Sequence, residues 1–222
     1  MQFRNREDAA QHLVKPVRAL GKGPMVIAAL ARGGVALGVV LAKALNAELK
    51  VVLVRKIGAP GQRELAVAAV AEGPGDGLVL DAETMAYSGA SPSYVEHEAR
   101  RERSEIARRR AAYLGGRAPA PLEGKTVVVV DDGIATGTTV RAALQALRAR
   151  RPARVVLAVP VASAHALSQI SPLVDEWVCL SEPPDFYAVG AHYDDFRQVS
   201  DDEVIAALKT AAAAAATHPR AP

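Results

Sequence analysis

Apolar residues fall along this chain in two alternating rhythms. Short unbroken runs, MVIAAL (25–30), TVVVVD (126–131), RVVLAVPVA (154–162) and DEWVCL (175–180), are rich in β-branched residues and match strands buried on both faces. Between them, apolar positions recur at helical spacing: Leu13, Val17 and Leu20; then Leu37, Val40, Leu41, Ala44 and Leu45; then Val140, Ala143, Leu144 and Leu147. The first of these helices is expected over 6–20, stopped by GKGP. LKVVLVRK (49–56) is expected to be one further strand that ends on two cations, and SAHALSQI a short helix. SDDEVIAALKT opens with a Ser N-cap and acids in its first turn, which suit a helix start. Its alanine run is expected to fray into a disordered tail over 216–222. Strands alternating with helices predict an α/β fold with a mostly parallel, doubly wound sheet.

Between 57 and 122 the rhythm breaks. GAPGQ, EGPGDG and GGRAPAP are turn clusters around short apolar runs, and SPSYVEHEARRERSEIARRRAAYL (91–114) reads as a long helix. This stretch is expected to be an insertion or hood over the sheet, within a single domain covering 1–215. SEPPDFYAVGAHYDDF (181–196) has no regular period.

Composition narrows the class. Half of the 222 residues are hydrophobic and 23% are charged, so a packed core is readily supplied. A net charge of +3 is too small to argue for nucleic acid by itself. The single cysteine, Cys179, rules out an intrachain disulfide and fits a reducing compartment. Its place in EWVCL suits a small buried hydrophobe better than a nucleophile. With no apolar leader and no run of membrane-spanning length, a cytoplasmic location is expected.

The chemistry concentrates in VVVVDDGIATGTTV (127–140). Unpaired charge is costly to bury, so Asp131 and Asp132 should emerge where the strand leaves the sheet, at its carboxyl edge. Gly133 and Gly137 permit left-handed backbone, and the turn feeds a helix whose free N–H groups point back at the loop. Such a nest favours phosphate, with hydroxyl donors from Thr136, Thr138 and Thr139. The acids just upstream suit vicinal sugar hydroxyls. Together they describe a site for a ribose 5-phosphate. Other phosphate motifs fail: Val39 stands where a P-loop needs lysine after Gly33 and Gly38, no G-x-G-x-x-G opens a helix, and no paired-Cys or HExxH pattern is present.

DDGIATGTT resembles the phosphoribosyl pyrophosphate (PRPP) signature of the type I phosphoribosyltransferases. ARGG (31–34), one strand–helix unit upstream, occupies the place of that family's pyrophosphate loop, and Arg55 and Lys56 match its cations after the next strand. RKIGAPGQRELAVAAVAEG and the chain length resemble a bacterial group described only as predicted phosphoribosyltransferases, and 57–122 matches the family's flexible loop and adjoining strands. The resemblance implies a Mg²⁺-dependent displacement of pyrophosphate from PRPP by a nitrogenous base or amine. It assigns the ribose hydroxyls, and Mg²⁺ indirectly, to Asp131 and Asp132. The 5-phosphate falls to Gly133, Ala135, Thr136, Gly137, Thr138 and Thr139, and pyrophosphate to Arg32, Gly33, Gly34, Arg55 and Lys56. The irregular 181–196 resembles the hood of hypoxanthine-guanine enzymes, which brings Phe186 and Tyr187 to the acceptor and Asp194 near the pyrophosphate. The purine parallel is incomplete: Ala135 replaces a loop acid, and no lysine lies between Lys125 and Lys209. A homodimer is implied by the family.

His165, in VASAHAL, is a candidate acid or base on the acceptor, against the ordinary role of a helix cap or exposed residue. The competing class is a PRPP-binding regulator that turns nothing over. ARRERSEIARRR (99–110), with six arginines and two glutamates, would be its basic stripe. The run lacks interleaved aromatics, so nucleic acid is not the expected partner. PRPP synthesis would need an ATP site, for which there is no candidate.

Overall fold

The computed structural model describes residues 1–21, 23–73, 77–115 and 121–217. Helix α1 (Arg6–Ala19) begins at Asn5, whose side chain accepts the Asp8 N–H, and leads into β1 (Met25–Leu30) and α2 (Gly33–Leu45). There follow β2 (Glu48–Val52), β3 (Val54–Ala59), β4 (Gln62–Ala71), β5 (Leu78–Leu80), α3 (Ala82–Ser88) and α4 (Pro92–Leu114). The alternation then resumes with β6 (Thr126–Val130), α5 (Thr138–Arg148), β7 (Arg154–Val161), α6 (Ala164–Ile170), β8 (Glu176–Ser181) and α7 (Asp201–Thr217).

The main sheet runs β2-β1-β6-β7-β8 with every neighbouring pair parallel. The four valines of β6 are fully buried because successive side chains point to opposite faces and both faces are covered. Val128 and Val130 meet a cluster with Leu13 and Val17 of α1 and Leu37 and Leu41 of α2. Val127 and Val129 meet Val140, Leu144 and Leu147 of α5. Each valine removed from water contributes roughly 1.5–3 kcal/mol, which makes this central strand a firm support for the loop that follows it. The doubly wound α/β fold expected from the sequence is the fold observed.

One register decides where chemistry can occur. β1 and β6 are paired from Met25 with Thr126 to Ala29 with Val130. The loops after these strands, ARGG and DDG, therefore emerge side by side at the carboxyl edge of the sheet.

LKVVLVRK is not one strand. β2 stops at Val52, and β3 belongs to a separate antiparallel sheet, β3-β4-β5. The chain changes sheet at Leu53, which is itself buried, so an unbroken apolar run hides the boundary. Arg55 and Lys56 thus lie inside a strand of the second sheet. Ile57 of β3 and Val67 and Val70 of β4 pack with Val95, Ala99 and Ile106 of α4 and Val204 of α7. Ser91 caps the start of α4 and Gly115, in left-handed conformation, ends it. Helix α7 continues through Thr217, so the first part of the expected disordered tail is helical; 218–222 lie outside the described residues.

Candidate functional site

Two glycines let the first loop touch the second. A Cβ on Gly33 would sit 1.9 Å from Asp132 Oδ2, and one on Gly34 would sit 2.4 Å from the Val130 carbonyl oxygen. No other residue fits that approach. Asp131 accepts the Asp132 N–H at 2.9 Å, and the nearby Gly34 amide, in the first turn of α2, favours its charged form. Burial, reinforced by the neighbouring Asp132, pushes the Asp131 carboxyl well above the usual carboxylate range. Burial raises Asp132 too, against the opposing pull of Arg6.

Arg6 donates from Nε to Asp132 Oδ2 at 2.7 Å, with the two side chains only 11% and 15% exposed. Its guanidinium lies 4.0 Å over the Phe196 ring, and Nη1 donates to the Arg197 carbonyl at 2.9 Å. The Tyr193 hydroxyl donates to the Asp132 carbonyl at 2.6 Å; burial pushes that phenol upward. The second acid is therefore held from the side chain and from the main chain.

The loop expected to hold phosphate is fixed from beneath. Ile134 forms an isolated bridge to Ala162: its N–H donates to the Val161 carbonyl at 2.9 Å, and its carbonyl accepts the Ser163 N–H at 3.0 Å. Ser163 Oγ donates to the Ala135 carbonyl at 2.7 Å. Gly137, at φ 78°, is the N-cap of α5 and supplies no side-chain acceptor, so the first amides of the helix have no side-chain cap. Thr138 is buried, with its Oγ1 3.4 Å from that of Thr136, while Ala135 and Thr136 are exposed. Past β7, Ser163 caps α6, and the exposed His165 places Nε2 3.0 Å from Gln169 Nε2.

The expected pyrophosphate cations have different surroundings. The Ala31–Arg32 peptide is cis, and Arg32 is the N-cap of α2. Its Nη1 lies 3.5 Å from Asp201 Oδ1 at the start of α7. Asp201 also accepts from Arg108 at 2.8 Å and from the Tyr113 hydroxyl at 2.6 Å. The Arg108 hydrogen bond is foremost in holding Asp201 down to about 2, and burial together with Asp201 pushes Tyr113 up to about 12. Arg55 donates to Glu102 of α4 at 2.6 Å; these two, with Arg101, Ser104, Glu105 and Arg108, line an open depression. Lys56 is exposed. The structure thus brings Gly33 and Gly34 against the two acids, turns the Arg32 side chain to Asp201 and turns Arg55 toward α4.

No bare basic stripe runs along α4. Arg100 and Arg103 pair with Glu96, Arg101 with Glu98, Arg108 and Arg109 with Glu105, and Arg110 with Glu72.

The segment expected to be the acceptor hood (181–196) is clasped by residues 2–4. Phe3 N–H donates to the His192 carbonyl, and the Phe3 and Arg4 carbonyls accept from Asp194 and Asp195, each at 2.9 Å. Phe3 is fully buried, its ring 5.5 Å from that of Tyr193, which in turn lies 5.0 Å from Phe196. Phe186 stacks on His192 at 5.7 Å, whereas Tyr187 is 93% exposed. Asp194, also exposed, accepts from Gln2 at 3.0 Å.

Sequence reasoning missed Arg6, Tyr193, Phe196 and Asp201. One signal was available: Arg6 opens a helix and Arg32 precedes one, and a cation at the positive end of a helix is locally unfavourable by about 0.3–1 kcal/mol. Such local conflicts tend to mark residues engaged elsewhere.

A family model described as the phosphoribosyl transferase domain matches residues 2–195, from the clasp to the hood. A provisionally named phosphoribosyl transferase of Mycobacterium tuberculosis, Rv0571c, is 40% identical over 210 residues, which are 94% of this chain and 47% of that protein. The chain thus spans about half the length of the curated relatives it matches. The crystal structure of TT1426 from Thermus thermophilus has a TM-score of 0.76 and 44% identity over 94% of this chain and 98% of that one. A shorter match, 54% over 48 residues, is to the bifunctional protein PyrR of Chloroflexus aurantiacus and covers 21% of this chain and 26% of that protein.

Proposed function

This chain belongs to the phosphoribosyl transferase family, and from that premise we propose that it transfers the phosphoribosyl group of PRPP to a nitrogenous base or amine, releasing pyrophosphate. The observation that carries this reading is the meeting of the acid pair, the amide-lined start of α5 and the tightly apposed ARGG loop at one sheet edge. On this reading Asp131 and Asp132 take the ribose hydroxyls. The loop from Gly133 to Thr139 takes the 5-phosphate, and the backbone at Gly33 and Gly34 with Arg32 takes the pyrophosphate. Arg55 would reach the same group on leaving Glu102, joined by Lys56.

The bond from ribose C1 to the pyrophosphate oxygen breaks as the acceptor nitrogen bonds to C1 and gives up its proton to water. The electron pair leaves with pyrophosphate, and positive charge develops on the sugar. Fixed carboxylates beside the ring lower that barrier without reorganising, and cations drawn to the leaving group lower it further. Among the described residues no three His, Cys, Asp or Glu side chains form a metal cage. The two adjacent acids fit an ion held mainly through its substrate. Mg²⁺ bound in that way would supply charge neutralisation on the diphosphate. The exposed Tyr187 offers a free ring face for an acceptor to stack on, with Phe186 and Asp194 in the same segment. Ala135 in place of a loop acid argues against the 6-oxopurine mode of recognition.

The test is a screen of nucleobases and small amines for pyrophosphate release from Mg-PRPP. Release with at least one acceptor is expected. PRPP binding without release under every acceptor would favour the regulator, a reading that the paired arginines of α4 do not support. Absence of PRPP binding would overturn both.

A further inference from the structure

We infer that Arg6 is a positioning residue for this reaction, holding one oxygen of Asp132 so that the other meets the sugar; the inference rests on the function proposed above. Arg6 is fixed in several independent ways. Nε is on Asp132 Oδ2 at 2.7 Å, Nη1 is on the Arg197 carbonyl at 2.9 Å, and Cζ lies 4.0 Å from the centre of the Phe196 ring. A guanidinium held through separate nitrogens has little freedom to turn, and it fixes the place of the carboxylate oxygen it grips.

Asp132 is confined on its other side as well. Gly33 leaves room for the carboxylate only because it has no Cβ, and Tyr193 fixes the backbone carbonyl of the same residue. With Oδ2 taken by Arg6, Oδ1 is the oxygen assigned to a ribose hydroxyl. Stability does not account for the pair. A shielded ion pair adds little over apolar residues of equal volume, whereas an oriented carboxylate has a direct use beside a sugar diol. The same guanidinium joins the ribose acid to Phe196 and Arg197, at the edge of the hood segment. The acceptor side and the ribose side thus share one fixed group.

The experiment measures calorimetric binding of Mg-PRPP, ribose 5-phosphate and Mg-pyrophosphate to the parent, Arg6→Gln and Arg6→Lys. Arg6→Gln should bind both ribose-bearing ligands about tenfold more weakly, the scale of one charge-assisted hydrogen bond, and Mg-pyrophosphate as the parent does. Arg6→Lys keeps the charge and should recover part of the loss. Should Arg6→Gln fail to fold, Arg6→Lys carries the test, with a smaller loss confined to the ribose-bearing ligands. Parent-like binding of the ribose-bearing ligands by the variant, or equal weakening of all three, overturns the inference; the second outcome would give Arg6 a purely structural part. A parent protein that binds no PRPP overturns the proposed function and this inference with it.

Discussion

Replacing Asp131 by Asn removes a carboxylate whose ionisation is opposed by burial and by Asp132, so the variant should melt at or above the parent temperature while losing PRPP. Asp132→Asn should behave differently. It leaves the shielded guanidinium of Arg6 without an opposite charge and should lower stability by on the order of 2 kcal/mol in a urea titration. Asp201 has the opposite pH signature to a buried acid. Its folded pKa of about 2 lies below the ordinary 3.8, so its stabilisation is fully present above that ordinary value and is lost as pH falls toward 2. Asp201→Asn should therefore be less stable than the parent by on the order of 1 kcal/mol at neutral pH, a gap that closes in acid; melting curves across pH 2 to 7 would show it.

At the scale of elements, the join between the β1 loop and the end of β6 is the joint that cannot be padded. Gly34→Ala would press a methyl against the Val130 carbonyl at 2.4 Å and should cost about 2 kcal/mol or more, read by chemical denaturation. Here sequence and structure agree most closely. β6, its acids and the start of α5 were legible because a four-valine run, paired acids and a Gly/Thr turn each have one physical reading. Elsewhere the signal was missing. The break at Leu53 falls inside residues buried on both sides of the change of sheet, so no polar residue punctuates it. The partner of Arg6 lies 126 positions away, and periodicity carries no information over that span. The arginines of α4 read as a possible basic face because their acids sit on the same helix or, as with Glu72, on another segment.

At the scale of the whole molecule, the clasp between residues 2–4 and 192–195 fastens the hood to the body. Phe3→Ala would empty a fully buried aromatic site and should cost about 3–5 kcal/mol. Limited proteolysis should then cut between 182 and 200 in the variant and spare the parent. The clasp also has a consequence for biosynthesis. Arg6 is made early, yet the Arg197 carbonyl and the Phe196 ring that steady it are made late. A chain made only to residue 180 would already carry both acids, but not the carbonyl and the ring that steady the guanidinium beside them. Contacts this distant in the chain close late, so the pocket should be finished only as translation of the hood is completed.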